Sequence, residues 1–343
     1  MLLLLTSCGE QGAGGATSAP TAVRPTPEAP LSRTVVVGAW TRTGSPSTTV
    51  HQFLRRQSGV LYAGLSAGVY SSHDDGVTWH VLGQGFPGPN VDAWGIAFLP
   101  GSSTLFAAAA DGYVYRLVDG VGRWRRSATL LSPDGVYALF ADPATHAVLA
   151  GSGRGIARST DGGGAWRVVA PLPNAIVTTF ARDAASHTLY AGLGGTRASI
   201  QISKDDGRTW RTLHGALPPS SVEAILITGA HIYVGVMQTS GKLPVWARGR
   251  GANGVGFGPF ATGLPSSNAH GMALAATTAD GGVVRILIGT MGAGVYERTA
   301  AGAWTKLGPN PGDGTVTALT VLPGAHPIAL AGTAEGVYRT RLP

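Results

Sequence analysis

A single cysteine, Cys8, in 343 residues excludes an internal disulfide and removes the cysteine clusters on which most structural zinc sites depend. Charge is scarce as well, at 13% of residues, and no stretch repeats apolar side chains at i, i+3, i+4 and i+7 for long enough to define a helix. No internal run approaches the ~20 apolar residues of a membrane-spanning helix. What is abundant is glycine, 52 residues, together with short apolar runs such as "VLYAGL", "GVYALF" and "RILIGT" set between Gly, Asp, Pro and Ser clusters. This is the pattern of an all-β chain, many short strands joined by tight turns. The length exceeds the usual ~100–200 residues of one domain, but closed all-β folds run longer as a single unit.

The one cysteine sits in "LLLLTSCGE". Leu5-Thr6-Ser7-Cys8 resembles the bacterial lipobox, in which small residues precede a cysteine that carries diacylglycerol. The resemblance implies a lipid anchor on Cys8 and an extracytoplasmic address. The chain opens Met1-Leu2 with no basic n-region, so a start site upstream is expected, and residues 1–8 are taken as a truncated signal segment. Residues 9–33 are nearly devoid of large apolar side chains and read as a flexible tether. Residues 34–343 are left for the folded body.

A repeat organises that body. The aromatic positions Trp40, Trp79, Trp124, Trp166, Trp210, Phe257 and Trp304 recur at intervals from 39 residues (Trp40 to Trp79) to 47 (Trp210 to Phe257). That period matches the ~40–45 residues of a four-stranded propeller blade. Second strands align as "LYAGL", "LFAAA", "VLAGS", "LYAGL", "IYVGV", "ILIGT" and "ALAGT", which predicts a seven-bladed β-propeller of antiparallel blades. The seventh unit ends after three strands at "GVYRTRLP". "AWTRTG" near the amino terminus matches "AWTKLG", the expected outer strand of blade six, so the amino-terminal strand is expected to complete the last blade and remove its open edge.

Three blades share one string: "SHDDGVTW" (Ser72, Asp74, Gly76, Trp79), "STDGGGAW" (Ser159, Asp161, Gly163, Trp166) and "SKDDGRTW" (Ser203, Asp205, Gly207, Trp210). Between third and fourth strands the Asp can bind backbone N–H groups of its own turn while the Gly takes a positive φ. Each string offers one or two carboxylates and no clustered loop, so no metal and no cofactor is expected. The string resembles the Asp-box, or BNR repeat, S-x-D-x-G-x-T-W. Blade two departs from it, keeping Asp119 and Trp124 but with Leu117 and Val121 where Ser and Gly belong. The resemblance implies a propeller whose boxes face away from the functional end, in a superfamily spanning sialidases, xyloglucan hydrolases, sortilin-type receptors and photosystem II assembly factors.

Function is therefore sought at the other end. Alignment of innermost strands places His51, Trp94, Tyr137, Thr178, Glu223, Met272 and Thr317 at one equivalent position, and the hairpin loops add Arg154 and Arg197. The resulting polar, partly aromatic funnel is the candidate binding site. A sialidase would need three arginines, a tyrosine nucleophile aided by a glutamate, and a carboxylic acid. Tyr137, Glu223, Arg154 and Arg197 fit those parts, but the F/Y-R-I-P motif is absent, and a xyloglucan hydrolase places its cleft between two propellers. The net charge of +7 comes from arginines, many of them on expected outer strands, where charge discourages edge-to-edge pairing. The expectation is a monomeric, lipid-anchored, non-catalytic scaffold that binds an envelope protein or polysaccharide and no nucleic acid, with a glycoside hydrolase as the alternative.

Overall fold

The structure is a computed structural model that describes residues 37–343 apart from 88–90, 100, 119–121, 196–198, 215–216, 218–219, 230, 239–243, 251–255, 266–269, 279–283 and 300–301. The lipobox with Cys8, the tether and Asp119 fall outside the described residues. Among those described there are 28 strands in seven four-stranded antiparallel sheets and no helix. Blades 1 to 6 span 50–81, 93–126, 136–171, 175–212, 220–259 and 271–306, each with strands in chain order from the channel outwards. Blade 7 takes three strands from 318–341 and its outermost, Thr41–Arg42, from the other end of the chain.

That closure is held by more than the strand pair. Thr41 and Arg42 pair with Arg339 and Tyr338, the Thr43 amide donates to Val337 O at 2.9 Å, and the Trp40 indole donates to Leu307 O of blade 6 at 3.0 Å. The amino-terminal segment therefore joins blades 6 and 7.

The core is divided into seven apolar clusters, one between each pair of neighbouring blades. This is why second strands such as Leu61–Leu65, Leu105–Ala109 and Val148–Ser152 are buried throughout: both faces of each blade are covered. It also explains the repeated glycine in "LYAGL". A Cβ on Gly151 would lie 2.5 Å from Val177 Cγ1, and one on Gly332 would lie 2.7 Å from Val50, the neighbouring innermost strand in each case. The missing side chain lets successive blades approach.

The Asp-box turns take part in the same packing. Asp205 accepts from the Ser203 hydroxyl (2.7 Å), the Thr209 amide (2.9 Å) and the Thr209 hydroxyl (2.6 Å), and the Gly207 amide donates to Ser203 Oγ at 2.9 Å. Asp74 repeats this set with Ser72, Thr78 and Gly76, while Asp161 reaches Ser159 and the Gly164 and Ala165 amides. Gly76, Gly163 and Gly207 all have φ between 76° and 82°. Each also lies against the second strand of the preceding blade: a Cβ on Gly163 would meet Phe106 at 2.6 Å, and one on Gly207 would meet Leu149 at 2.9 Å.

From that preceding blade an arginine reaches the box backbone. Arg116 Nη1 donates to Gly162 O at 3.3 Å and Arg158 Nε to Asp206 O at 3.1 Å. Arg339, buried before the first box, lies close enough to Asp75 and Asp74 for their charges to favour its protonated form against desolvation. At the equivalent third-strand position, blades not followed by a box carry Ser71, Ile202, Ala247 or Glu297.

Tryptophan use divides along the same line. Trp79 and Trp210 donate within their own boxes, to Gly76 O (3.1 Å) and Gly207 O (3.3 Å). Trp124, Trp304 and Trp40, which follow no intact box, donate to the residue just after the preceding blade's outer strand, Leu82, Phe260 and Leu307. Trp166 is the exception, its indole nitrogen buried without a partner.

Candidate functional site

Every innermost strand of blades 1 to 6 breaks register at one residue, and that residue is His51, Trp94, Tyr137, Thr178, Glu223 or Met272. A bulge re-aims its side chain and ends regular pairing. Together with Thr317 of blade 7 these residues line a cavity of about 260 Å³ at the centre of the ring.

The seven positions do different work. Thr178 donates to Gly192 O of its own blade and to Val222 O of the next, and Thr317 donates to Gly332 O and, at 2.5 Å, to Val50 O. These two hydroxyls are spent on joining blades. Trp94 and Tyr137 stack face to face, centroids 4.5 Å apart and planes within 5°. Their polar ends are held by neighbouring groups: Trp94 Nε1 donates to Asp92 Oδ2 at 3.0 Å and the Tyr137 hydroxyl to Asp134 O at 2.6 Å. Gly135 makes room for the pair, since a Cβ there would fall within Trp94, and its φ of 103° is one that side chains rarely adopt.

His51 lies between Ser66 Oγ (3.0 Å) and Asp92 Oδ2 (3.4 Å). Burial lowers its pKa, against the pull of the Asp92 charge and hydrogen bond, so the ring is mainly neutral at pH 7. Asp92 thus serves both His51 and Trp94. The Asp134 contact with Tyr137 is through its backbone carbonyl, and the Asp313 carboxylate accepts from the Thr315 amide. Burial raises the pKa of Glu223, with a hydrogen bond from Ser221 and the charge of His270 acting in the opposite sense.

Of the other predicted residues, Arg154 is exposed in a hairpin loop and does not line the cavity. The hairpin is tied at Ser152–Gly155, where the Ser152 hydroxyl donates to Gly155 O and accepts from the Arg154 amide. Arg197 lies outside the described residues. Ser66 escaped sequence reasoning because nothing but its place in a hairpin marks it; its partner His51 is 15 residues away. Among the described residues no group of three or more His, Cys, Asp or Glu side chains is placed to hold a metal ion.

No family profile matches the chain, and no curated protein matches its sequence. Solved structures do match. The fold is that of a seven-bladed β-propeller. It is similar to the extracellular domain of a hybrid two component system from B. thetaiotaomicron, with a TM-score of 0.65 and 13% identity over 90% of this chain and 39% of that one. The Niastella koreensis GH74 enzyme gives 0.62 and 16%, over 87% of this chain and 43% of that one. U3-55K gives 0.62 and 13%, over 90% and 100%. The propeller spans about two fifths of the first two chains, and at these identities the likeness carries the fold alone.

Proposed function

We propose that this protein is a non-catalytic binding or assembly scaffold of the Asp-box type, held outside the cytoplasm by a lipid on Cys8, which contacts a protein or glycan through the end of the propeller that bears the central cavity. The stacked Trp94–Tyr137 pair carries this reading. Its polar ends are satisfied within the protein, so the aromatic surface can receive a partner with little ordering cost. Monomeric action fits a ring whose last edge is already closed.

The test is Trp94→Ala with Tyr137→Ala in glycan-array and envelope pull-down assays, with circular dichroism to verify folding. Loss of an aromatic anchor costs ~2–4 kcal/mol, so binding should weaken at least about 30-fold. Unchanged binding by a folded variant refutes the site. The address is tested separately by giving the chain a full signal peptide: Cys8→Ser should move it from the membrane fraction to the released fraction, since no acyl chain can then attach.

The raised pKa of Glu223 favours a second reading, glycoside hydrolysis, because an upward shift of a cavity carboxyl is in the direction a general acid requires. Turnover of a sialoside or β-glucan that is abolished by Glu223→Gln would establish it. Absence of turnover by the wild-type protein would remove it.

A further inference from the structure

The charge at the cavity end runs against that of the whole chain. The net charge is +7, yet among the described residues the loops at this end carry Asp92, Asp134 and Asp313 ahead of innermost strands and Asp111 and Glu335 in hairpins between second and third strands, with Arg154 as their one arginine and no lysine. Neutral groups bond the outer three: Asp313 accepts from the Thr315 amide, Asp111 from the Tyr115 hydroxyl and Glu335 from the Tyr338 hydroxyl. Among the described residues no ion pair with an arginine or lysine offsets any of the five.

The cavity repeats this imbalance, since its lining holds no lysine or arginine. Glu223 belongs to blade 5, three blades from Trp94 one way round the ring and four the other, so it stands across the channel from the aromatic pair. Its neighbours at the ring position give it no donor: Thr178 has spent its hydroxyl on two carbonyls, and Met272 has none. A Ser221 bond and the charge of His270, present only when that ring is protonated, are what oppose the cost of burying the carboxylate. On the facing wall Asp92 bonds Trp94 and lies 3.4 Å from His51, and the Asp134 charge adds to burial in raising the Tyr137 pKa. Three carboxylates therefore act on one recess, where a cation is stabilised by their summed field and by an aromatic surface.

Size and shape narrow the cation. The cavity, about 260 Å³, is smaller than the ~300–1,000 Å³ of sites that enclose a drug-sized ligand, so it takes one sugar ring or one side chain. A sugar packs its C–H face on an aromatic surface and carries an amine at a fixed place on a rigid ring. A lysine brings the same charge on a flexible stem that must first be ordered. The flat Trp94–Tyr137 pair fits the former.

We propose that the central cavity takes an amino sugar whose amine is free and protonated, with the ammonium directed to Glu223 and the sugar ring against Trp94 and Tyr137. This rests on the reading of the cavity as the binding site, and narrows its ligand from a protein or glycan to a cationic glycan.

The experiment is calorimetric titration of the full chain at about pH 6 with a glucosamine hexamer, its fully N-acetylated counterpart, and hexalysine. The net charge of +7 repels both polycations at long range, so affinity reports the local site. The glucosamine hexamer should bind, and the acetylated hexamer at least about tenfold more weakly. Glu223→Gln, which keeps the shape of the side chain, and Asp92→Asn, which keeps an acceptor for Trp94, should each weaken the glucosamine hexamer at least about tenfold, with melting curves to verify folding. Arg154→Ala, outside the cavity, should bind as the wild type does. Equal binding of the acetylated hexamer, lost in Trp94→Ala, would overturn the amine while leaving the cavity as the site. Tighter binding of hexalysine, full binding by Glu223→Gln, or no binding of the glucosamine hexamer would each overturn the proposal as well.

Discussion

Replacing Asp205 by Ala removes three hydrogen bonds that tie the third Asp-box turn, from the Ser203 hydroxyl, the Thr209 amide and the Thr209 hydroxyl. Each is worth ~0.5–1.5 kcal/mol net, and because Thr209 is exposed its groups can turn to water, so the loss should sit in the lower half of that range, ~1.5–3 kcal/mol in all. The same hydrogen bonds act on the carboxyl's pKa, which gives a second route to the magnitude. Burial works against its charge, but the Thr209 hydroxyl and amide, Ser203 and the Arg208 amide together outweigh burial and bring its pKa from 3.8 to about 2. At 1.36 kcal/mol per unit this is at most ~2.4 kcal/mol, discounted to ~1–2 for partial exposure. A folded-state pKa below the unfolded one stabilises above about pH 4, and that contribution is lost as pH falls towards 2. Urea unfolding of wild type and variant should therefore differ by ~1–3 kcal/mol at pH 7 and converge near pH 2. Asp161→Ala, which has no threonine hydroxyl to lose because Ala165 stands at that place, should cost less. Equal stabilities at pH 7, or a gap undiminished at pH 2, would refute the reasoning.

Deleting residues 1–44 removes the outer strand of blade 7 and the Trp40 bond to Leu307, so the melting temperature should fall, while deletion of 1–32 should leave it unchanged; equal melting would argue against closure by this strand. Arg158→Ala should destabilise by ~1 kcal/mol through loss of its bond to Asp206 O, and a double-mutant cycle with Leu149→Ala would show whether the box and the preceding blade act together. Gly207→Ala combines a φ of 76° with a Cβ 2.9 Å from Leu149 and should cost ~1–3 kcal/mol; wild-type stability would contradict the close approach. Gly151→Ala tests the strand glycine in the same way against Val177 and should also lower the urea midpoint.

The blade count, the borrowed outer strand and the ring of seven cavity positions were all legible in the sequence, because each depends on a local pattern repeated at a fixed period. A strand alternates its side chains whatever lies beside it, and an innermost strand that reads "VYAL" in one blade can be laid over the same place in the next. The turn chemistry of Ser203, Asp205 and Thr209 is equally local, spanning residues no more than six apart in the chain.

Contacts across blades have no such signature. Arg116 and Gly162 are separated by 46 residues, Arg182 and Asp142 by 40, and Arg250 and Asp183 by 67. Nothing in the alternation of either strand marks them as partners. Only the closed ring decided that Thr178 and Thr317 spend their hydroxyls between blades, that Arg154 does not line the cavity and that Trp94 stacks on Tyr137. Local sequence sets what a blade is, because its hydrogen bonds and turns are made within about forty residues. The circular packing of seven blades sets which faces meet, and with that which side chains remain available to a partner.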